Sequence, residues 1–348
     1  MYNYNDKLKK FELEKVSIRE KEGIRAMLRS NRKTNQDRLR NNLPEKLIKD
    51  FQKQGSYAHR TMIQNDDNDY DIDDGVIFRK EDLLTPQGNE MTTLQVRDMI
   101  AEALQDDKFE KKPERMKNCV RVFYKAGHHV DIPAFRIYEN QFGHHKCEIA
   151  SSDWRESDPK KINNWFDERV ASYKKDRDEK GSQFRRMIRL LKRFCRSRPT
   201  WTMPSGLILT MLTDELMPDY DRDDECFYYL LKKINERLKY SGLRVYNRSD
   251  ESISGKEELT KSDDDACMRN FRDRSGEAIE KLNVLHESDC TAKKAGKAWD
   301  WVFKSDGFFD EDGDDSNNGD DGSPDNFFGI ARSTPKKAVD AQGGGRFG

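Results

Sequence analysis

The chain has 348 residues, with 64 Lys plus Arg against 65 Asp plus Glu for a net charge of −1, and 34% of its residues are hydrophobic. That balance leaves no global field for coating nucleic acid or binding a membrane surface. No apolar run approaches the roughly 20 residues that span a bilayer, and no N-terminal apolar signal segment is evident, so a soluble, cytoplasmic protein is expected.

The charge is segregated along the chain. Residues 7–53 are rich in Lys and Arg, whereas 310–325 is almost purely acidic. The six cysteines are scattered with no Cys-x-x-Cys pair, so zinc and disulfide frameworks are unsupported. Leu8, Phe11, Leu13, Val16, Ile24 and Leu28 recur at near-helical spacing, with Leu47 and Phe51 leading into Gly55, so residues 7–53 are predicted helical. Asp69-Tyr-Asp-Ile-Asp-Asp-Gly75 then runs into Val76-Ile-Phe-Arg79, a strand signal. Residues 93–104 form an amphipathic helix, and 119–124 are β-rich. Ala126-Gly-His-His129 reads as a hairpin tip before a further strand over 130–138, where Pro133 predicts an edge position or a bulge.

Ser157-Asp-Pro159 opens a helix with Pro near its first position. From there residues 160–178, 183–197, 205–217, 224–240 and 275–285 carry helical periodicity, and 250–266 reads as a long polar loop. From Gly307 the core pattern is lost. The predicted architecture is α+β, or mixed α/β, around a small mixed sheet. Residues 1–156 are expected to hold an N-terminal helix and a catalytic lobe, 157–306 a helical lobe, and 307–348 an acidic, Gly-rich tail.

The chemistry concentrates at Gln54-Gly-Ser56 and the acidic segment after it. Glycine lets a backbone approach a phosphate closely, and the adjacent serine hydroxyl can donate to it; alone, the pair is an ordinary turn. Carboxylates at i and i+2 of a strand share a face, so Asp69/Asp71 and Asp71/Asp73 are both candidate metal pairs, with Asp74 on the opposite face. Asp66 and Asp67 favour a solvated acidic loop instead. Against that, Val76-Ile-Phe78 anchors the cluster, and anchored like charges are costly without a cation. Asp131 stands alone in an apolar strand, where a carboxylate needs a partner, and a shared divalent ion is one. Paired metal ions stabilise both the attacking and leaving oxygens of phosphoryl transfer.

Further on, Arg185, Arg189, Lys192 and Arg196 form a basic stripe beside an apolar one that includes Phe184, Met187 and Leu191. Such a stripe is either a solvated face or one wall of a triphosphate site. Ser205 follows Pro204 at a helix start, where N-capping and phosphate binding are compatible. His59 and Arg60 are candidates to lie against a base or ribose. His128, His129, His144 and His145 read as surface hairpin residues, and Trp154, Trp165 and Trp201 as core.

A Gly-Ser turn, a following Asp-x-Asp and a third Asp on a later strand resemble the cGAS/DncV-like nucleotidyltransferases (CD-NTases). Gln54-Gly-Ser56, Asp71-Ile-Asp-Asp-Gly75, Val130-Asp-Ile-Pro133 and Ser157-Asp-Pro159 with Trp165-Phe166 look like segments of the DncV-type branch, in the same order. The likeness covers residues 50–215 and is not visible past 240. It implies a Pol-β-like catalytic lobe and selects Asp71 and Asp73 as the metal pair, with Asp131 third, holding two Mg²⁺ ions or Mn²⁺ in their place. It also implies that Gln54, Gly55, Ser56, Lys192 and Ser205 meet the donor triphosphate.

The implied activity joins two nucleoside triphosphates, ATP and GTP giving cyclic GMP-AMP, with release of pyrophosphate. The implied role is a bacterial anti-phage (CBASS) signal read by a downstream effector. A same-fold enzyme making a cyclic trinucleotide or a linear oligonucleotide is the nearest alternative. A non-catalytic metal- or RNA-binding protein is a further one, but a Ca²⁺ loop starting at Asp69 would put Lys80 where a bidentate Glu belongs. The Gly343-Gly-Gly-Arg-Phe-Gly348 end is either an unpacked tail or, by the same resemblance, a terminus conjugated at Gly348 by ubiquitin-transfer-like partners.

Overall fold

The computed structural model describes residues 1–18, 23–65, 70–106, 111–125, 127–173, 182–249 and 257–310. Eight strands form one mixed sheet: β1 (Ile48–Gln54), β2 (Asp71–Arg79), β3 (Glu114–Arg115), β4 (Val120–Phe123), β5 (His129–Ile132), β6 (Ala134–Glu139), β7 (His145–Ala150) and β8 (Trp154–Glu156). β2 lies inside it. Along one side β1 runs antiparallel, with Phe51 opposite Val76 and Gln54 opposite Asp73. Along the other, β5 pairs parallel with the first half of β2 and β6 with the second half.

The register keeps one offset across Pro133, whose carbonyl accepts from the Val76 amide at 2.9 Å. β5 and β6 therefore behave as a single strand with a break. On their outer side β4 pairs with β5 and β7 with β6, both antiparallel. Pro133 thus stands in the interior of the sheet with the register unshifted, neither at an edge nor in a bulge as expected for it. Its carbonyl faces β2, so its missing N–H falls on that side too, in the gap of the β2 ladder between β5 and β6, where the outer partner also changes from β4 to β7.

The expectation of helix throughout residues 7–53 also needs correction. α1 (Asn5–Phe11) continues into a π-helical turn (Glu12–Val16), α2 spans Ile24–Asn42, and Pro44 lies just past its end before β1 begins. β1 was hidden because a bulge between Ile48 and Asp50 breaks the alternation that marks a strand. α3 (Gly55–Ala58) follows β1 directly, and α4 (Thr93–Ala103) starts at a Thr92–Gln95 capping box.

The helical half contains α5 (Pro159–Ser172), α6 (Gln183–Cys195), α7 (Gly206–Leu216), α8 (Asp223–Tyr240), α9 (Ala266–Leu282) and α10 (Ala292–Phe303). α9 begins earlier than the periodicity indicated, and α10 was not anticipated. Among the described residues no helix is long and apolar enough to cross a membrane.

Two cores result. One lies on the sheet and includes Leu28, Ile72, Phe78, Val96 and Val130. The other joins the helices and also takes in Leu8, Phe11 and Val16 from the start of the chain and Phe309 from beyond α10. Within the predicted N-terminal helix, α1 therefore packs on the helical lobe while α2 packs on the sheet. The apolar core likewise continues past Gly307, because Phe309 is buried and its carbonyl accepts from the Tyr4 hydroxyl at 2.7 Å. The acidic run from 311 and the Gly348 end lie outside the described residues.

Candidate active site

Asp71 and Asp73 project from β2, and the parallel register sets His129 opposite Asp71 and Asp131 opposite Asp73. Residues level with one another in paired strands share a face, so the ladder brings the three expected carboxylates together. Asp71, His129 and Asp131 offer ligand atoms within 4.8 Å of one another. Burial, then repulsion from Asp71 and Asp131, pushes the Asp73 carboxyl well above its usual range. An oxygen-rich cluster under that strain suits a hard divalent cation, so the donor set fits such an ion. Asp69 lies outside the described residues.

Asp74 faces the other way, as expected. Its carboxylate accepts from Arg32 Nε at 2.7 Å and from Gln36 at 2.7 Å, tying α2 to the back of β2. Asp131 has a protein partner that went unforeseen. Arg121 on β4 donates from Nε at 2.7 Å and from Nη2 at 2.8 Å, a bidentate pair that fixes the carboxylate plane. The available signal was Arg121 itself, set among Cys119, Val120 and Val122 directly across the ladder from Asp131.

Two of the histidines need correction. His129 is half-buried on β5, with Nε2 3.2 Å from Asp71 Oδ1. His128 is buried, stacked on Tyr124 at 4.8 Å and bonded to Asn31 at 2.6 Å. Of the four, only His144 and His145 are exposed, at the β6–β7 turn.

Gln54 ends β1 level with Asp73, so the Gly-Ser turn begins beside the carboxylate face. Gly55 has φ 62°, a left-handed conformation that favours glycine, and it turns the chain from extended β1 into α3. The turn closes on itself: the His59 amide donates to the Gly55 carbonyl at 3.1 Å and the Thr61 amide to the Ser56 carbonyl at 2.9 Å.

The basic stripe of α6 is neither simply solvated nor free. Arg185 Nε donates to the His59 carbonyl at 3.0 Å and Arg189 Nη1 to the Arg60 carbonyl at 2.8 Å. Lys192 Nζ donates to the Thr61 carbonyl at 3.1 Å and to its hydroxyl at 3.2 Å. Three side chains at helical spacing thus hold three successive carbonyls just after the turn, while Arg196 is exposed. Lys192 also abuts the start of α7, since a Cβ added at Gly206 would lie 2.8 Å from its Cε. Ser205 caps α7 by accepting from the Ile208 amide at 3.4 Å. Burial, with Arg196 and Arg189 nearby, pulls the Lys192 ammonium down to about 7. The structure therefore brings Lys192 and Ser205 together, with Thr61 joining them to the segment that follows the Gly-Ser turn.

His59 is not open to a base or ribose. It is 6% exposed, stacked on Phe166 at 4.1 Å, with Nε2 3.0 Å from Asn163 Oδ1. Burial lowers its pKa from 6.5 to about 4. Between those values the unfolded chain takes up a proton that the folded chain refuses, so stability falls as pH falls, by up to about 3 kcal/mol across the window. Denaturant titrations at pH 7 and pH 4.5 should show a smaller loss for His59→Phe than for the parent. Equal losses would mean that the fold does not hold His59 neutral in this range.

Comparison with known proteins agrees with this geometry. Residues 49–135 match the family described as cyclic GMP-AMP synthase DncV-like, nucleotidyltransferase domain, a span that begins in β1 and ends in β6. A cyclic GMP-AMP synthase of Escherichia albertii is 29% identical over 198 residues, covering 54% of this chain and 42% of the relative, so the match spans less than half of that protein's length. Vibrio cholerae DncV cyclic AMP-GMP synthase, solved with the linear intermediate 5′ pppA(3′,5′)pG, superposes with a TM-score of 0.67 at 16% identity, over 88% of this chain and 97% of that one. The Bradyrhizobium diazoefficiens CD-NTase CdnG, solved with GTP, gives 0.64 at 13% identity over 88% and 96%. Residues 49–135 thus match a DncV-like nucleotidyltransferase domain across the carboxylate-bearing strands, and the chain as a whole has the fold of the DncV-type nucleotidyltransferases.

Proposed function

We propose that the protein is a metal-dependent nucleotidyltransferase that joins two nucleoside triphosphates into a cyclic dinucleotide. The observation that carries this reading is the register of β2 against β5, which aligns Asp73 with Asp131 beside Asp71 and beside the Gln54-Gly55-Ser56 turn. In this reading Asp71, Asp73 and Asp131 hold two divalent ions, Mg²⁺ or Mn²⁺. Bound there, the ions supply charge stabilisation to the attacking and leaving oxygens.

The chain's own residues bind and orient. Gln54, the Gly55 backbone and the Ser56 hydroxyl face the donor phosphates from one side, and Lys192 and Ser205 from the other. An anion beside Lys192 restores the charge that burial disfavours. Arg121 keeps both Asp131 oxygens in a fixed plane. The 3′-hydroxyl of the acceptor attacks the α-phosphate of the donor, its proton is lost and pyrophosphate leaves. A second transfer closes the ring.

ATP and GTP are the proposed substrates and cyclic GMP-AMP the proposed product. The support is the identity with the Escherichia albertii synthase and the adenine–guanine intermediate held by the Vibrio cholerae enzyme. The corresponding role is a cytoplasmic second messenger of antiviral defence, read by a separate effector. The test is incubation with labelled ATP, GTP, CTP and UTP and either Mg²⁺ or Mn²⁺, followed by phosphatase and chromatography. A phosphatase-resistant product that needs both ATP and GTP is expected. A linear oligonucleotide or a trinucleotide would replace the proposed product, and no product from any mixture would remove the enzymatic reading.

A further inference from the structure

The segment that carries the Gly-Ser turn is gripped from the helical lobe by one side chain at both its ends. Asn163, on α5, donates from Nδ2 to the carbonyl of Lys53 at 2.9 Å, immediately before Gln54. Its Oδ1 lies 3.0 Å from Nε2 of His59, immediately after α3. The two contacts use both ends of one planar amide and bracket residues 54–58. Phe166, one helical turn on from Asn163 and so on the same face, stacks on the same imidazole. Arg185 holds the carbonyl of His59 from α6.

We infer that Asn163 is a positioning residue for the triphosphate-binding turn, acting through Lys53 and His59 and not by touching nucleotide. This rests on the nucleotidyltransferase reading given above. An amide planted between two points of the chain fixes their separation, and with it the path of Gln54, Gly55 and Ser56 between them. Half-angstrom errors in such a turn matter, because binding groups act only within a narrow range of geometry. A purely architectural contact would instead join the lobes without caring where the turn runs. The nearby Lys160–Asp50 pair has that character: it links α5 to β1 at 3.6 Å, with both partners exposed and no contact to the turn.

The test uses the full chain with a non-hydrolysable ATP or GTP analogue and Mg²⁺, binding being measured by calorimetry beside thermal melts. Asn163→Ala removes both contacts. Asn163→Asp keeps the shape and the acceptor but loses the donor to Lys53, and serves if the alanine variant does not fold. Each is expected to weaken analogue binding about tenfold and to speed amide hydrogen exchange at residues 55–61, while Lys160→Ala changes neither. Affinity within twofold of the parent for a folded Asn163 variant, whatever its melting temperature, would overturn the positioning role alone. Failure of the parent itself to bind either analogue would overturn the proposed function, and this role with it.

Discussion

Replacing Asp71 and Asp73 together by asparagine should abolish product formation, by at least about a thousandfold, without lowering the melting temperature of the protein. The two halves of that expectation have one cause. Asp73 is half-buried beside Asp71 and Asp131, and its carboxyl is pushed well above the ordinary range by desolvation first and by those like charges second. A carboxylate raised in this way costs folding energy as pH rises above its unfolded value, since the unfolded chain gives up the proton more readily than the folded one. Asparagine keeps the shape and removes the charge.

In metal-free buffer the double variant should therefore gain on the parent between pH 4 and pH 7.5. Added Mg²⁺ should raise the melting point of the parent and not that of the variant, because an ion that binds only the folded state stabilises it. The carboxylates proposed to hold the metal ions are thus a liability to folding when no cation compensates their charge. A variant that retained a tenth of parental turnover would mean that the reacting atoms are served by other residues.

Gly75→Ala is expected to cost about 2–3 kcal/mol of stability and more than tenfold in activity, although residue 75 presents no functional group. A methyl group there would lie 2.4 Å from Gln54 Nε2 and 2.7 Å from Phe135 Cε2. Phe135 is fully buried and has nowhere to go. Gln54 is the movable partner, so the strain falls on the residue that opens the Gly-Ser turn. Gly88→Ala is the matched control, with φ 82° and open space around the added carbon. It should cost about 1–2 kcal/mol of backbone strain and leave turnover as it was. Equal activity losses for both glycines would show a general effect of destabilisation, not displacement of Gln54.

Much of the carboxylate face was readable from the chain because it depends on local rules. Alternation puts Asp71 and Asp73 on one side of a strand, and an Asp among Val130 and Ile132 demands a partner. Their convergence was expected from the need for a shared ion and from the family resemblance, not from any local rule, since it depends on which strands pair and in which register. The same limit hid Arg121, whose role appears only when β4 lies against β5.

β1 was lost to its bulge, and with it the fact that the Gly-Ser turn leaves a strand, not a helix. His128 and His129 were misread because a Gly-His-His sequence has the polarity of a loop tip, whereas here it returns the chain into the sheet. The α6 stripe was legible as a stripe. What it holds, the carbonyls of His59, Arg60 and Thr61, belongs to a segment well over a hundred residues away in sequence.

The unbroken register of β5 and β6 against β2 carries a consequence for how such a chain can diverge. The alignment of Asp73 with Asp131 is fixed by ladder bonds on both sides of Pro133, so it does not depend on the length of the chain between the two strands. Insertions or deletions across residues 80–119 are invisible to the carboxylate face provided both strands still reach the sheet. A single residue gained or lost within 71–76 or 129–134 would turn one aspartate to the opposite side. Related chains are thus free to drift in length over a long interval while being held, residue for residue, in two short ones.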